Sequence, residues 1–230
     1  MLSGLLTQPR WIFSLTARYF PGAIYAVDVA SSANKTTKIV ALTVDDGPSA
    51  ATEDILEVLN RYGVKATFFN ISSYLPGHEQ TVRSALLNGH ELGNHLTADE
   101  ASIQLSPKAF EEKLLAAEGA LLPLLPDGQK NLKWMRPGMG FYNKGMVDTI
   151  EKHGYQLVLG SRFPYDTHIH SSGFASAFIL NTVRSGDIIV LHDGDDGRGD
   201  RTTQTLETIL PALQKKGYTI TTVSNLLNSQ

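Results

Sequence analysis

From Lys38 onward, short apolar runs alternate with longer stretches of helical period, and each change of period falls at a glycine, a proline or a polar cluster. Lys38–Val44 carries the continuous apolar run Ile39-Val40-Ala41-Leu42-Thr43-Val44 and reads as a buried strand. Residues 51–62 place Ile55, Val58 and Leu59 on one helical face and end at Gly63, a glycine cap. A strand over Ala66–Asn70, a helix over Glu79–Asn88 closed by Gly89, and a short strand over Glu91–His95 follow. Ser106-Pro107 opens the next helix, which runs towards Leu122, with serine as N-cap and proline in the first turn. The rhythm then repeats: a strand end at Trp134-Met135-Arg136, a helix over Gly145–His153, a strand over Gln156–Gly160, a helix over Ala175–Val183. It closes with the apolar strand Asp187–Leu191, a helix over Thr202–Lys216 and a strand over Tyr218–Val223. Strands alternating with helices in this way predict an α/β fold on a parallel sheet.

Before Lys38 the pattern is weaker. Pro9–Tyr19 is expected to form a short amphipathic helix with Trp11, Ile12, Leu15 and Tyr19 on one side, leading to a strand over Ala23–Val27. The polar loop Ser31–Lys38 follows. Residues 1–36 are therefore expected to be an N-terminal extension packed on a domain of residues 37–230, with a peripheral membrane anchor as the alternative. Gln8, Pro9, Arg10, Arg18 and Pro21 break every apolar run in this segment, so no transmembrane segment is predicted. The same charges fall inside the apolar stretch rather than before it, unlike an export signal, which makes the cytoplasm the default expectation.

Composition narrows the function classes. A chain of 230 residues fits one domain, and 42% hydrophobic with 19% charged residues is ordinary for a globular protein. A net charge of -3 argues against non-specific binding to nucleic acid. There is no cysteine, so any metal must be held by oxygen and imidazole. No internal repeat is visible, and nothing in the pattern points to a particular oligomeric state.

The chemistry concentrates at strand ends. Asp45-Asp46-Gly47-Pro48 closes the first buried strand, and two adjacent carboxylates there are costly to hold dry. Solvated turn acids are the plain alternative. Asp45, Asp46, His95, Arg136 and His192 all lie at C-terminal ends of predicted strands, which in parallel barrels meet at one face. Asp46, His95 and Asp99 make a candidate site for a divalent ion. His95 and Asp99 are four residues apart and share a face if the segment turns helically; otherwise Asp99 reads as a helix N-cap. Asp45 is a candidate general base that Arg136 would pair and aim, and His192 a candidate general acid. The acidic glycine-rich loop Asp193–Asp200 lacks the glycine and glutamate of an EF-hand at the sixth and twelfth positions and reads as a rim loop that touches substrate. The sequons at Asn34 and Asn70 are discounted as chance triplets.

These residues, in this order, resemble the polysaccharide deacetylases with a NodB-type domain, carbohydrate esterase family 4, over roughly Lys38–Val223. Thr43-Val44-Asp45-Asp46-Gly47-Pro48 is similar to the family's first motif, Gly93–Asp99 to its second, Arg136-Pro137-Gly138-Met139-Gly140 to its third and Asp187–Asp193 to its fifth. The resemblance implies a distorted (β/α) barrel with seven or eight strands. It implies Asp45 as base, Arg136 as its orienter, His192 as acid, Asp46 and His95 as metal ligands and Leu191 as the lining of an acetyl pocket. Pro137, Phe141 and Tyr142 are expected to touch substrate, with the backbone N–H of Phe141 near the oxyanion; Phe163 and Tyr165 also flank the motifs. Two departures stand out. The second motif normally ends in a histidine ligand, where this chain has Asp99, so the implied ion (zinc, cobalt or manganese) leans towards harder cations such as manganese or magnesium. The fourth motif normally supplies an aspartate that tunes the catalytic histidine. Leu159-Gly160-Ser161-Arg162 stands in its place, and Asp166 is the best substitute, with His168 or His170 as alternatives. The expected function is metal-dependent removal of an N-acetyl group from a chitin- or peptidoglycan-like sugar, with an acetylated carbohydrate as the partner. The alternatives are an O-acetyl esterase or small-amide hydrolase on the same scaffold, or a non-catalytic carbohydrate-binding relative, which the two departures favour.

Overall fold

The structure, a computed structural model, describes residues 8, 11, 15, 18–19, 21–29 and 38–229. Strands and helices alternate in the predicted order: β1 (Ala23–Ile24), β2 (Lys38–Gly47), α1 (Thr52–Arg61), β3 (Thr67–Asn70), α2 (Glu79–Leu87), β4 (Glu91–Asn94), α3 (Pro107–Leu121) and β5 (Trp134–Met135). There follow α4 (Lys144–Lys152), β6 (Gln156–Val158), α5 (Ser172–Thr182), β7 (Ile188–His192), α6 (Arg198–Lys215), β8 (Tyr218–Thr221) and α7 (Val223–Leu227). The strands form one 8-stranded sheet in the order β1-β6-β5-β4-β3-β2-β7, with β8 also on β2. Every ladder is parallel. β2 is long enough to serve two neighbours along one edge, Lys38–Ala41 pairing with β8 and Thr43–Gly47 with β3, while Ala41–Asp45 pair with β7 along the other. Isolated bridges from Ala26 to Asp187 and from Arg162 to Ile189 bring the far edge back towards β7, so the sheet curls into a distorted, incompletely closed barrel.

The period-2 alternation of β2 sorts the core. Val40, Leu42 and Val44 face α1 and α6, packing with Ile55, Leu59, Leu206 and Leu210. Ile39 and Ala41 face the other way, onto Phe69, Trp134, Val158 and Ile188. Thr43 and Asp45 continue that inner row, which is how a buried strand delivers a carboxylate to the barrel mouth. A further cluster under α2, α3 and α4 holds Phe110, Leu114, Met135 and Leu157. The Ser106 cap forms as predicted, its hydroxyl accepting from Ala109 N–H at 3.2 Å.

Element ends differ from the sequence reading in two instructive places. The last strand stops at Thr221, where Thr222 caps α7 by accepting from Asn225 N–H at 3.3 Å. Helix α6 begins at Arg198, four residues before the expected Thr202, because Gly197 adopts φ 78° and turns the chain into the helix early. Of the expected Pro9–Tyr19 helix, Trp11, Leu15, Arg18 and Tyr19 are helical, and Trp11, Leu15 and Tyr19 are exposed; Ile12 and the loop over residues 31–37 lie outside the described residues. β1, from the segment set apart as an extension, supplies the sheet's edge strand beside β6. Among the described residues no helix is long and apolar enough to cross a membrane.

The barrel seam is fastened by a buried ion pair. Arg162 Nε lies 2.8 Å from Asp187 Oδ2, with side-chain exposures of 1% and 0%. Asp187 also accepts from Ser161 Oγ–H at 2.9 Å and from Arg184 N–H at 2.7 Å. Removing one partner strands the other's charge in the interior. Asp187→Ala is therefore expected to destabilise the fold by about 3–5 kcal/mol; a denaturant-midpoint change worth less than about 1 kcal/mol would mean that the seam holds without the pair.

Candidate functional site

The carboxyl ends of β2, β4, β5 and β7 converge at the barrel mouth, each carrying one or two polar side chains. Neighbouring strand residues normally point to opposite faces. Asp45 and Asp46 escape that rule through a bulge: the β2–β3 register shifts between Asp45 and Gly47, and Asp46 adopts φ 63°. Aspartate tolerates this left-handed conformation better than most residues. Gly47 is favoured by close approach, since a Cβ there would stand 3.0 Å from Asp193 Oδ2 and 3.3 Å from Asn70 Oδ1.

Asp45 is buried and its Oδ1 accepts from Arg136 Nη1 at 2.5 Å. The same Nη1 donates to Thr43 Oγ1 at 2.7 Å, and Nε donates to Val158 O at 3.0 Å. The guanidinium carbon sits 4.1 Å above the Phe69 ring. A buried pair with this many supports is fixed in direction. Among the described residues, Arg136 Nη2 has no partner.

Arg136 also reaches the second motif. His95 donates its Nδ1–H to Arg136 O at 2.6 Å, which leaves Nε2 facing Asp46 Oδ1 at 3.2 Å. Both side chains are nearly buried, at 6% and 7% exposure. Burial alone would raise the Asp46 pKa, but the His95 hydrogen bond and charge, with His192 and Arg198 behind them, hold it down at about 2. Burial likewise pushes the His95 pKa down, and Asp46 and Asp45 more than reverse it.

Asp99 is placed otherwise than expected. Leu96 adopts φ 63° and its N–H is taken by Asn94 Oδ1 at 2.8 Å, so no helical turn links His95 to Asp99. Asp99 is exposed, and its Oδ2 lies 3.8 Å from Arg198 Nη2. Arg198 Nη1 donates to Asp46 Oδ2 at 2.8 Å, and Nε donates to Asp196 Oδ1 at 2.9 Å. Among the described residues no three histidine, aspartate or glutamate side chains are gathered to hold a metal. The donor chemistry nonetheless fits a divalent cation: two carboxylates, an imidazole whose other nitrogen is committed to a carbonyl, and a guanidinium already standing as the cation between the carboxylates.

His192 is the register partner of Asp45 across β2 and β7. Its Nδ1 lies 3.0 Å and 3.1 Å from the Asp166 oxygens, and its backbone N–H donates to Asp166 Oδ2 at 3.0 Å. Burial pushes the His192 pKa down, but the Asp166 carboxylate, by charge and hydrogen bond, with Asp45 and Asp46 adding, carries it up to about 9. The Phe163 ring meets the imidazole edge-on at 5.5 Å. His168 and His170 are exposed, and His168 Nδ1 lies 2.8 Å from Thr167 Oγ1. Arg162, where the fourth motif was sought, is committed to Asp187.

Leu191 does not face the site. It is fully buried among the helix-facing residues with Val44 and Ile55, because its parity on β7 is opposite to that of His192. Val190 has the matching parity, and period-2 counting from His192 would have found it. Pro137 is buried, Phe141 is 65% exposed, and Tyr142 meets Tyr25 hydroxyl to hydroxyl at 3.0 Å. Gly138 could carry no side chain, since its Cβ would fall 2.1 Å from Glu100 O; this packs the third-motif loop onto the loop that carries Asp99. Asp193 is structural: it accepts from Ser49 Oγ at 2.6 Å and Thr52 Oγ1 at 2.5 Å, tying the loop after β7 to the start of α1. Sequence reasoning missed Arg198, folding it into the rim loop; its signal was a cation set among Asp193, Asp195, Asp196 and Asp200.

Residues 32–158 match the family profile described as polysaccharide deacetylase. A peptidoglycan-N-acetylglucosamine deacetylase of Bacillus cereus is 34% identical over 200 residues, covering 83% of this chain and 88% of its own. A chitooligosaccharide deacetylase of a Bradyrhizobium species is 31% identical over 195 residues, covering 80% of this chain and 88% of its own. The crystal structure of the Bc1960 peptidoglycan N-acetylglucosamine deacetylase superposes with a TM-score of 0.80 at 24% identity, covering 92% of this chain and 94% of that one.

Proposed function

The chain belongs to the polysaccharide deacetylase family, and we infer from that membership and from its strand-end geometry that it hydrolyses the N-acetyl group of a sugar and releases acetate. It is thus a hydrolase of carbon–nitrogen bonds other than peptide bonds. The substrate class is a chitin- or peptidoglycan-like oligomer, the class named for the Bacillus and Bradyrhizobium relatives, each matched over most of its length. The observation that carries the reading is a pair of opposed proton carriers at one register level. Asp45 is paired and aimed by Arg136, and His192 is held protonated by Asp166.

Asp45 takes a proton from the attacking water as its oxygen bonds to the acetyl carbon. The developing oxyanion is met by the backbone N–H of Phe141. His192, protonated at neutral pH, gives its proton to the amine nitrogen as the carbon–nitrogen bond breaks. Asp46, His95 and Asp99 are the residues that would hold a divalent ion, which when bound supplies Lewis acidity towards the acetyl carbonyl and the attacking water.

Acetate release from N-acetylglucosamine oligomers, from acetylated xylan and from small acetylated amines tests the reading, each with chelated protein and after reloading with manganese, cobalt or zinc. The expected result is metal-restored acetate release from the glucosamine oligomers. Release from xylan alone would make the chain an O-acetyl esterase. Oligomer binding without turnover under every metal would make it a non-catalytic relative.

A further inference from the structure

We propose that Arg198 is the resident occupant of the cation site, and that a divalent ion enters only by displacing its guanidinium from Asp46. The proposal rests on Asp46, His95 and Asp99 being the cation donors. Arg198 spans the two carboxylates of that set, with Nη1 2.8 Å from Asp46 Oδ2 and Nη2 3.8 Å from Asp99 Oδ2. The ion and the guanidinium therefore compete for the same two carboxylates and repel each other when close.

The placement is built. Nε is gripped by Asp196 Oδ1 at 2.9 Å, which aims the fork at Asp46. The plane of the group rests against Gly194, where a Cβ would come within 3.1 Å of Nε and 3.2 Å of Nη2. Gly194 sits at φ 134° and Gly197 at φ 78°, so the loop is shaped to seat Arg198 in the first turn of α6. The side chain is only 19% exposed, although arginine at a helix start normally reaches into solvent. Its backbone is fixed by the helix, so displacement is a side-chain swing that keeps the Asp196 contact. Asp99 is released by the same swing, which frees both carboxylates in one event. Arg198 thereby stabilises the metal-free protein and sets a threshold concentration for the ion.

Cobalt binding by titration calorimetry tests this on the wild type, Arg198→Gln, Arg198→Lys and the reference variant His95→Ala, with thermal unfolding of each metal-free protein. Arg198→Gln is expected to bind cobalt at least about tenfold more tightly, the factor for freeing a carboxylate from one charge-assisted hydrogen bond. It is also expected to melt below the wild type when metal-free. Arg198→Lys keeps the charge without the fork and should fall between; it decides the matter if the glutamine variant does not fold. Cobalt affinity equal to or weaker than wild type in both variants, with binding still lost in His95→Ala, would overturn the role of Arg198 and leave the cation site standing. No His95-dependent cobalt binding in any protein would overturn the cation site and the proposal together.

Discussion

Asp45→Asn is expected to lower kcat for a glucosamine oligomer by about 10³-fold while leaving KM close to the wild-type value. Asparagine preserves the outline of the side chain and an oxygen to accept from Arg136 Nη1, but it cannot take a proton. An interaction lost only in the transition state lowers kcat, whereas loss of sugar contacts would raise KM. The substitution also removes the counter-ion of a guanidinium that is 3% exposed. Thermal unfolding of the variant must therefore be measured alongside, since breaking a buried pair costs about 3–5 kcal/mol. The supports from Thr43 Oγ1, Val158 O and the Phe69 ring remain and should keep the variant folded. A folded Asp45→Asn protein with kcat within about tenfold of wild type would remove Asp45 from the role of base.

Much of this architecture was legible because its physics is local. Ile39–Val44 reads as a strand since both of its faces are buried, and Ser106-Pro107 reads as a helix start since cap and first-turn proline are local devices. The convergence of Asp45, Asp46, His95, Arg136 and His192 followed from their common place at strand ends. What stayed hidden depends on dihedral angles or on distant contacts. Adjacent aspartates do not announce a bulge, and Asp46 at φ 63° is set by the loop it must enter. The helical spacing of His95 and Asp99 was defeated by one residue, Leu96 at φ 63°. Leu191 came from the resemblance to the family's fifth motif, although strand parity assigns the side of His192 to Val190. The Arg198 contact with Asp46 joins residues 152 positions apart, and its loop reads as ordinary acidic rim. Asp166 was recoverable for the opposite reason: the place where an aspartate was sought holds Arg162, and the next carboxylate along the chain reaches His192.

Asp166→Asn should move the basic limb of the kcat profile to lower pH by at least about one unit, the least expected when an opposite charge at contact distance is removed. His192 acts as an acid only while protonated. Its pKa is set by a contest: burial drives it down, and the Asp166 carboxylate, helped by Asp45 and Asp46, lifts it to about 9. Asparagine keeps an oxygen against Nδ1 but removes the charge, so burial prevails, the imidazole loses its proton earlier, and turnover falls off sooner as pH rises. The same contest makes a stability statement with a definite sign. The folded pKa is raised above the unfolded value near 6.5, so the pair stabilises the fold fully below that pH and loses its contribution as pH rises through about 9. Wild-type protein should therefore show a decline in unfolding free energy between those limits that Asp166→Asn lacks. Imidazole titration by NMR on metal-free protein gives His192 directly, and the kinetic limb gives it in the working enzyme. An unmoved basic limb, with a His192 titration midpoint that does fall, would mean that another group delivers the proton to the leaving amine. A midpoint that does not fall would mean that Asp45 and Asp46 alone hold the imidazolium, leaving Asp166 only to orient the ring.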